Sequence, residues 1–466
     1  MTWFERLSGL DATFLYLEGR AAHMHVAGVH LFQGPAPDYL ELLALVGSRL
    51  HRVPRYRQRL AFPPLDVGRP VWVDDSEFDL EYHVRHTALP PPGGEEQLRR
   101  LAGRLMSQRL DRDKPLWELW LVEGLGDGRF AVISKTHHCM IDGISGVDLA
   151  GALLDADPAA DTPSEAPPWE PRPAPHGASL AVQSLLEQVT HPLEVLRGAL
   201  DASAATRQAF LELAGGVKPL LGLSLKGLAP ASSLNQPIGP HRRLEMVSLD
   251  LAAVKGVRAA LGGTVNDVLL AVVSGALRAL LLSRGEKPKG DLRALVPVSI
   301  RAEKARGTYG NQVTAIFCPL PVAEPDPVAR LHRVSKEMKG LKESHQAVGA
   351  LALTRLGELT LPALVAQAAR LEVMTRFMNV VVTNVPGPQL PLYLLGRRLL
   401  DWYPVVPLAQ AQTVGIALLS YDGKVGVGLL GDADRARDLP VLARAFPEAL
   451  AELAAAARSA APKQKG

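Results

Sequence analysis

Apolar positions along this chain change period from two to about three and a half and back again, many times over. The stretch HMHVAGVHLF (23–32) alternates and is rich enough in β-branched residues to predict a strand. YLELLALVGSRLHRV (39–53) and EEQLRRLAGRLMSQRL (95–110) carry apolar residues at helical spacing. LWELWLVEGL (116–125) and RFAVISKTHH (129–138) predict strands separated by a Gly-Asp-Gly turn. The periodicity then lapses. Residues 155–177 hold seven prolines and read as a linker. Next comes a helical stretch with Val182, Leu185, Leu186, Val189, Leu193, Leu196 and Leu200 on one face, expected to pack on the body. From 241 to about 456 the alternation resumes, with a strand and helix in RRLEMVSLDLAAVKGVRAAL and one long helix in TVNDVLLAVVSGALRALLLSRG. Five strands (LRALVPVSIR, NQVTAIFCPLP, MNVVVTNVPG, TVGIALLSYDG, KVGVGLLGD) and a closing helix follow. The pattern predicts an α/β protein in two halves, 1–155 and 241–466, joined by a Pro-rich linker and crossover helices over 156–240. An interface between two such halves is a common place for a site.

Composition narrows the function. A chain of 466 residues exceeds the usual size of one core, and 47% apolar content suits a globular protein. A net charge of +3 lacks the basic excess of a nucleic-acid binder, so no nucleic-acid partner is expected. Two cysteines, Cys139 and Cys318, make no disulfide framework and suit a reducing, cytoplasmic setting. MTWFERLSGLDATFLYLEG carries Glu5 and Asp11 and has no signal-peptide core. The most apolar stretch, VLLAVVSGALRALLL, is interrupted by Arg278, and no membrane-spanning helix is expected. Peripheral contact with a lipid surface stays open.

The chemistry concentrates at one strand end. FAVISKTHHCMIDGISGVDLAGALL (130–154) places His137 and His138 where a buried strand stops, with Asp142 and Gly143 close behind. Consecutive strand residues face opposite sides, so one ring is expected to look into the site and the other into the packing. Adjacent histidines do not form the i, i+4 pair of a helical zinc site, and no metal is expected. A neutral imidazole can take a proton from a hydroxyl at neutral pH. Gly143 allows a tight turn there, and Asp142 can fix it.

HHCMIDG matches HHxxxDG and so resembles the motif of acyl-CoA-dependent acyltransferases. That superfamily includes chloramphenicol-acetyltransferase-like enzymes, condensation domains and the bacterial wax ester synthase/diacylglycerol acyltransferases. Further segments resemble the last of these families in order along the chain: LSGLDATFLYLEG, MHVAG, the PLW block at Pro115, Leu116 and Trp117, and SSLNQPIGPHRR. The ND block at Asn266 and Asp267, VPVSIR, GNQ and NVPGP continue the series. The resemblance covers nearly the whole chain and is weakest over 156–230. It implies two chloramphenicol-acetyltransferase-like domains with mixed sheets and an active-site tunnel between them. It also implies that His138 is the general base, His137 its supporting neighbour, Asp142 a structural residue that orders the loop, and Gly143 the turn.

Pro115 to Trp117 would then shape the cleft, although core packing is the larger expectation for Trp117 and Trp120. Asn266 and Asp267 would line the channel or simply cap a helix. Ser299, Arg301 and Asn311 are candidates for its polar walls, and Arg301 is a candidate partner for Asp142 on charge complementarity alone. No Walker loop is present, so coenzyme A would rest on basic residues such as Arg242, Arg243, Lys255, Arg301 and Lys304. The implied reaction is transfer from acyl-CoA, a co-substrate rather than a bound cofactor, to diacylglycerol or a long-chain alcohol. It would proceed without an acyl-enzyme, since no GxSxG elbow exists, at a peripheral membrane or lipid-droplet surface, with oligomerisation left open. The alternatives are a related acyltransferase acting on a glycolipid or polyketide, and a non-catalytic lipid or acyl-CoA binder.

Overall fold

The protein, as a computed structural model, is described over residues 4–64, 68–140, 149–159, 167–175, 177–184, 186, 228–299, 313–343 and 377–460. The first elements are β1 (Glu5–Arg6), α1 (Gly9–Leu17), β2 (His25–Phe32), α2 (Tyr39–Arg49), β3 (Gln58–Ala61), β4 (Val71–Asp74), α3 (Leu80–His83) and β5 (Val84–Ala88). They are followed by α4 (Glu95–Ser107), β6 (Trp117–Glu123), β7 (Phe130–His137) and α5 (Leu149–Leu153). After the linker come β8 (Arg242–Asp250), α6 (Leu251–Leu261), α7 (Val265–Ser283), β9 (Leu292–Ser299), β10 (Val313–Leu320) and α8 (Pro327–Glu343). The chain ends with β11 (Val380–Pro386), β12 (Tyr393–Leu394), β13 (Arg397–Val405), β14 (Val414–Tyr421), β15 (Lys424–Asp432) and α9 (Leu439–Ala460).

Two six-stranded mixed sheets carry the fold, in the orders β12-β13-β2-β7-β6-β5 and β10-β9-β11-β14-β15-β8. The first is not built from residues 1–155 alone. β13 comes from the C-terminal half and pairs antiparallel with β2, Pro404 opposite Gly28. Its central strand β7 is buried along its whole length. One face of this sheet packs on α2 through Leu42, Leu45 and Val46. The other packs on α4 through Leu98, Leu101 and Leu105. The second sheet is covered by α6 to α9. Among these, α7 is long and apolar enough to cross a membrane by length and composition, but 72% of that stretch is buried inside the protein. Its Arg278 donates to the carbonyls of Val322 and Ala323, so it serves as a core helix.

The two sheets meet closely. Helix α4 lies against the edge strand β8, where a Cβ on Gly103 would stand 2.9 Å from the Arg242 carbonyl. Arg99 pairs with Glu245 at 3.1 Å across the same seam. The linker is also pinned: Arg172 donates to both carboxylate oxygens of Asp74 at 2.9 and 3.0 Å. The helical stretch beyond it turns differently from the sequence expectation. Leu180 is buried against Val71 and Val73, whereas Val182 and Leu186 are 56% and 58% exposed. Of the residues counted as one packing face, Val182 and Leu186 therefore do not pack, while Leu185, Val189, Leu193, Leu196 and Leu200 lie outside the described residues.

Candidate active site

Strand β7 ends at His137, and a single 3-10 turn, His138–Met140, begins at once. That change of backbone separates the two rings. The His138 amide donates to the Met24 carbonyl at 2.8 Å. Its ring stacks on Phe14 of α1, with centroids 3.8 Å apart and planes 21° apart. Burial pushes the His138 imidazole down to about 4, so the ring is neutral at pH 7 and carries a free lone pair. The His137 ring points back into the protein. Its Nδ1 accepts the Cys139 N–H at 3.1 Å, and its Nε2 lies 3.6 Å from Glu18 Oε2.

Glu18 gathers a buried charge cluster behind this turn. Its side chain is 1% exposed and receives Arg112 Nε at 3.0 Å and Arg109 Nε at 3.4 Å, while His25 Nε2 stands 3.6 Å away. Burial alone would raise the Glu18 carboxyl, but His137, His25 and Arg112 outweigh it and hold the group well below the usual carboxylate range. Phe14 and Glu18 are four residues apart, hence on one face of α1 and its C-cap, so one short helix touches both histidines of the motif. Sequence reasoning assigned no role to Phe14, Glu18, His25 or Arg112. The only signal was an acidic residue closing the apolar run FLYLEG (14–19).

The PLW block reaches the site through the backbone. The Leu116 carbonyl accepts the His137 N–H at 2.9 Å. Leu116 and Trp117 are each 1% exposed. The Trp117 indole donates to the Tyr56 carbonyl at 2.8 Å and stacks on His83 at 4.5 Å. Both side chains, Leu116 and Trp117, fix β6 beside β7 from within the core. Cys139 is buried and its thiol is pushed well above the ordinary value by that burial, which makes it a poor nucleophile.

The ND block splits. Asp267 makes a reciprocal capping box with Thr264, at 2.9 and 3.2 Å, and is 4% exposed. It caps α7 rather than lining a channel. Asn266 instead accepts from Asn384 of the NVPGP turn at 3.0 Å, so these two segments meet. Arg242 is not free for a phosphate. It is 6% exposed and donates to the carbonyls of Gly239, His241 and Ala21, the last across the seam just ahead of β2. Ser299 ends β9 opposite Val313. Asp142, Gly143, Arg301 and Asn311 lie outside the described residues. Among the described residues no group of three His, Cys, Asp or Glu side chains is arranged to hold a metal ion.

Several buried histidines titrate together. Burial lowers His83 to about 4 and His25 to about 3, and it also lowers His23 and His137. Unfolded histidines protonate near 6.5. Between about 6.5 and 4 the unfolded chain therefore binds more protons than the folded one, and stability must fall as pH falls. Melting temperature is expected to be level near pH 7 and to decline through that window. A melting temperature that holds level, or rises, from pH 7 to 4.5 contradicts it.

Known proteins resemble this chain over most of its length. Residues 7–269 match the family model described as the wax ester synthase/diacylglycerol acyltransferase catalytic domain, and 309–454 match the WS/DGAT C-terminal domain. A Mycobacterium tuberculosis H37Rv protein described as a probable diacylglycerol O-acyltransferase is 37% identical over 454 residues, 96% of each chain. The solved wax ester synthase/diacylglycerol acyltransferase from Marinobacter aquaeolei VT8 is 30% identical with a TM-score of 0.68, covering 97% of this chain and 100% of that one. At 18% identity and a TM-score of 0.58, the first condensation domain of the calcium-dependent antibiotic synthetase shares the fold over 97% of this chain and 96% of its own. With its motif histidines set at the end of β7 and both family segments matched in order, this chain belongs to the wax ester synthase/diacylglycerol acyltransferase family.

Proposed function

We propose that this acyltransferase moves a long-chain acyl group from acyl-CoA to the hydroxyl of diacylglycerol or of a long-chain alcohol, with His138 as general base. The observation that carries the reading is the half-buried, neutral His138 ring held between Phe14 and the turn that follows β7. His138 Nε2 takes the hydroxyl proton as the oxygen attacks the thioester carbon. The tetrahedral intermediate collapses, the C–S bond breaks, and the imidazolium returns the proton to the departing thiolate. An imidazolium whose pKa lies near 4 is a ready donor to a thiolate, whose thiol titrates near 8.5. Asp142 and Gly143 order the loop in this scheme, and Ser299, Arg301, Asn311, Asn266 and Asn384 contribute walls of a tunnel between the halves. Acyl-CoA enters one mouth and the acceptor the other, from a membrane or lipid inclusion at which a cytoplasmic enzyme docks peripherally. The exposed Val182 and Leu186 are apolar side chains such contact could use. Because β13 of the second half completes the first sheet, neither half is expected to be active alone.

The test is release of free coenzyme A thiol from acyl-CoA with a panel of acceptors, and mass-spectrometric identification of the product. Triacylglycerol or wax ester formed with stoichiometric thiol is the expected result. Binding of acyl-CoA without thiol release from any acceptor would mean a non-catalytic protein, and exclusive use of a glycolipid or polyketide acceptor would replace the acceptor class.

A further inference from the structure

We propose that Glu18 is a positioning residue for acyl transfer, acting on His138 through the ring of His137; this rests on His138 being the base. The argument runs through one tautomer. A neutral imidazole has one donor nitrogen and one acceptor. His137 Nδ1 accepts the Cys139 N–H at 3.1 Å, so its proton sits on Nε2, the nitrogen that faces Glu18 Oε2 at 3.6 Å. A carboxylate opposite one ring nitrogen selects the tautomer that is protonated there. Glu18 is itself held, through Arg112 Nε at 3.0 Å and through the Arg112 terminal nitrogen, which also reaches the Leu15 carbonyl at 3.1 Å.

The consequence falls on the turn. The Cys139 N–H lies inside the turn that His138 opens. Were His137 to carry its proton on Nδ1, two N–H groups would face each other and the turn would have to open. His138 would then leave its place against Phe14 and beside the Met24 carbonyl. A misplacement of about 1 Å at a reacting group can cost about 10²-fold in rate. The competing view makes Glu18 a buried ion pair that only stabilises the fold.

A double-mutant cycle separates the two. Turnover and KM for acyl-CoA are measured for Glu18→Ala, His137→Ala and their combination, each with its melting curve. Each single change should lower kcat by about 10²-fold with KM nearly unchanged, and the combination should be no worse than the poorer single variant. His137→Asn, whose carboxamide oxygen can accept the Cys139 N–H, should recover most of the rate. Should Glu18→Ala fail to fold, Glu18→Gln, equal in size and uncharged, replaces it and should show the same loss. Losses that add in the cycle, a changed KM with kcat intact, or wild-type kcat in Glu18→Gln would overturn the proposal. His138→Ala is run alongside. If that variant keeps near wild-type turnover, the base assignment has failed; if it is inactive while the Glu18 and His137 losses add, only the positioning role has failed.

Discussion

His138→Ala is expected to lower kcat by about 10²–10⁴-fold, the range that loss of a general base removes, while leaving a folded protein. The ring is held by stacking on Phe14, and among the described residues its Nδ1 has no side-chain hydrogen-bond partner. His138→Gln sharpens the test. A glutamine amide reaches the position of Nε2 and fills similar space, but it cannot accept a proton at neutral pH. If basicity matters, the glutamine and alanine variants are equally poor. If the ring merely fills space, glutamine restores the rate. The acid limb of kcat/KM should lie well below the ordinary histidine value, near 4, because burial disfavours the charged ring before substrate arrives. Wild-type turnover in either variant, measured by thiol release, removes His138 from the chemistry. His137→Ala should do less damage than His138→Ala, since His137 meets the site through a backbone amide.

Much of this arrangement was legible before the structure. The alternation of strands and helices is local, and a strand stopping at two histidines marks a site without knowledge of its neighbours. The capping box at Thr264 and Asp267 could also be read, because its partners are three residues apart. What stayed hidden depends on distant pairing. Glu18 and Arg112 are 94 residues apart in sequence, and nothing in RLDRDKPLW announces which charge goes inward. Arg242 reads as a surface cation beside Arg243, yet one of the pair is buried against carbonyls and the other is not. The exchange of β13 into the first sheet is equally silent, since strand period fixes which residues share a face but not which sheet receives them. The seam between sheets did leave a trace, in the glycines of KVGVGLLGD.

That trace gives the largest expected loss of stability. Gly426 and Gly428 share one face of β15, and β13 crosses directly over them. A Cβ at Gly428 would lie 1.8 Å from the Pro404 carbonyl oxygen, and one at Gly426 would lie 2.0 Å from that of Trp402. Those obstacles are backbone atoms in a strand already hydrogen-bonded to β2, so no rotamer change can make room. The opposite face, through Val425, Val427 and Leu429, is packed into the helical core, so β15 cannot retreat either. Gly428→Ala is therefore expected at the upper end of overpacking costs, about 3 kcal/mol, with Gly428→Val failing to fold. The damage should reach the site as well. Displacing β13 shifts β2, where Pro404 opposes Gly28, and β2 carries His25 opposite His137. Gly256 supplies the control: it lies in α6, exposed, with nothing within 4 Å of its added Cβ. There Gly→Ala should stabilise by up to about 1 kcal/mol through helix propensity. Denaturant unfolding of the two alanine variants should thus move in opposite directions, and a Gly428→Ala midpoint equal to the parent's would refute this account of the seam.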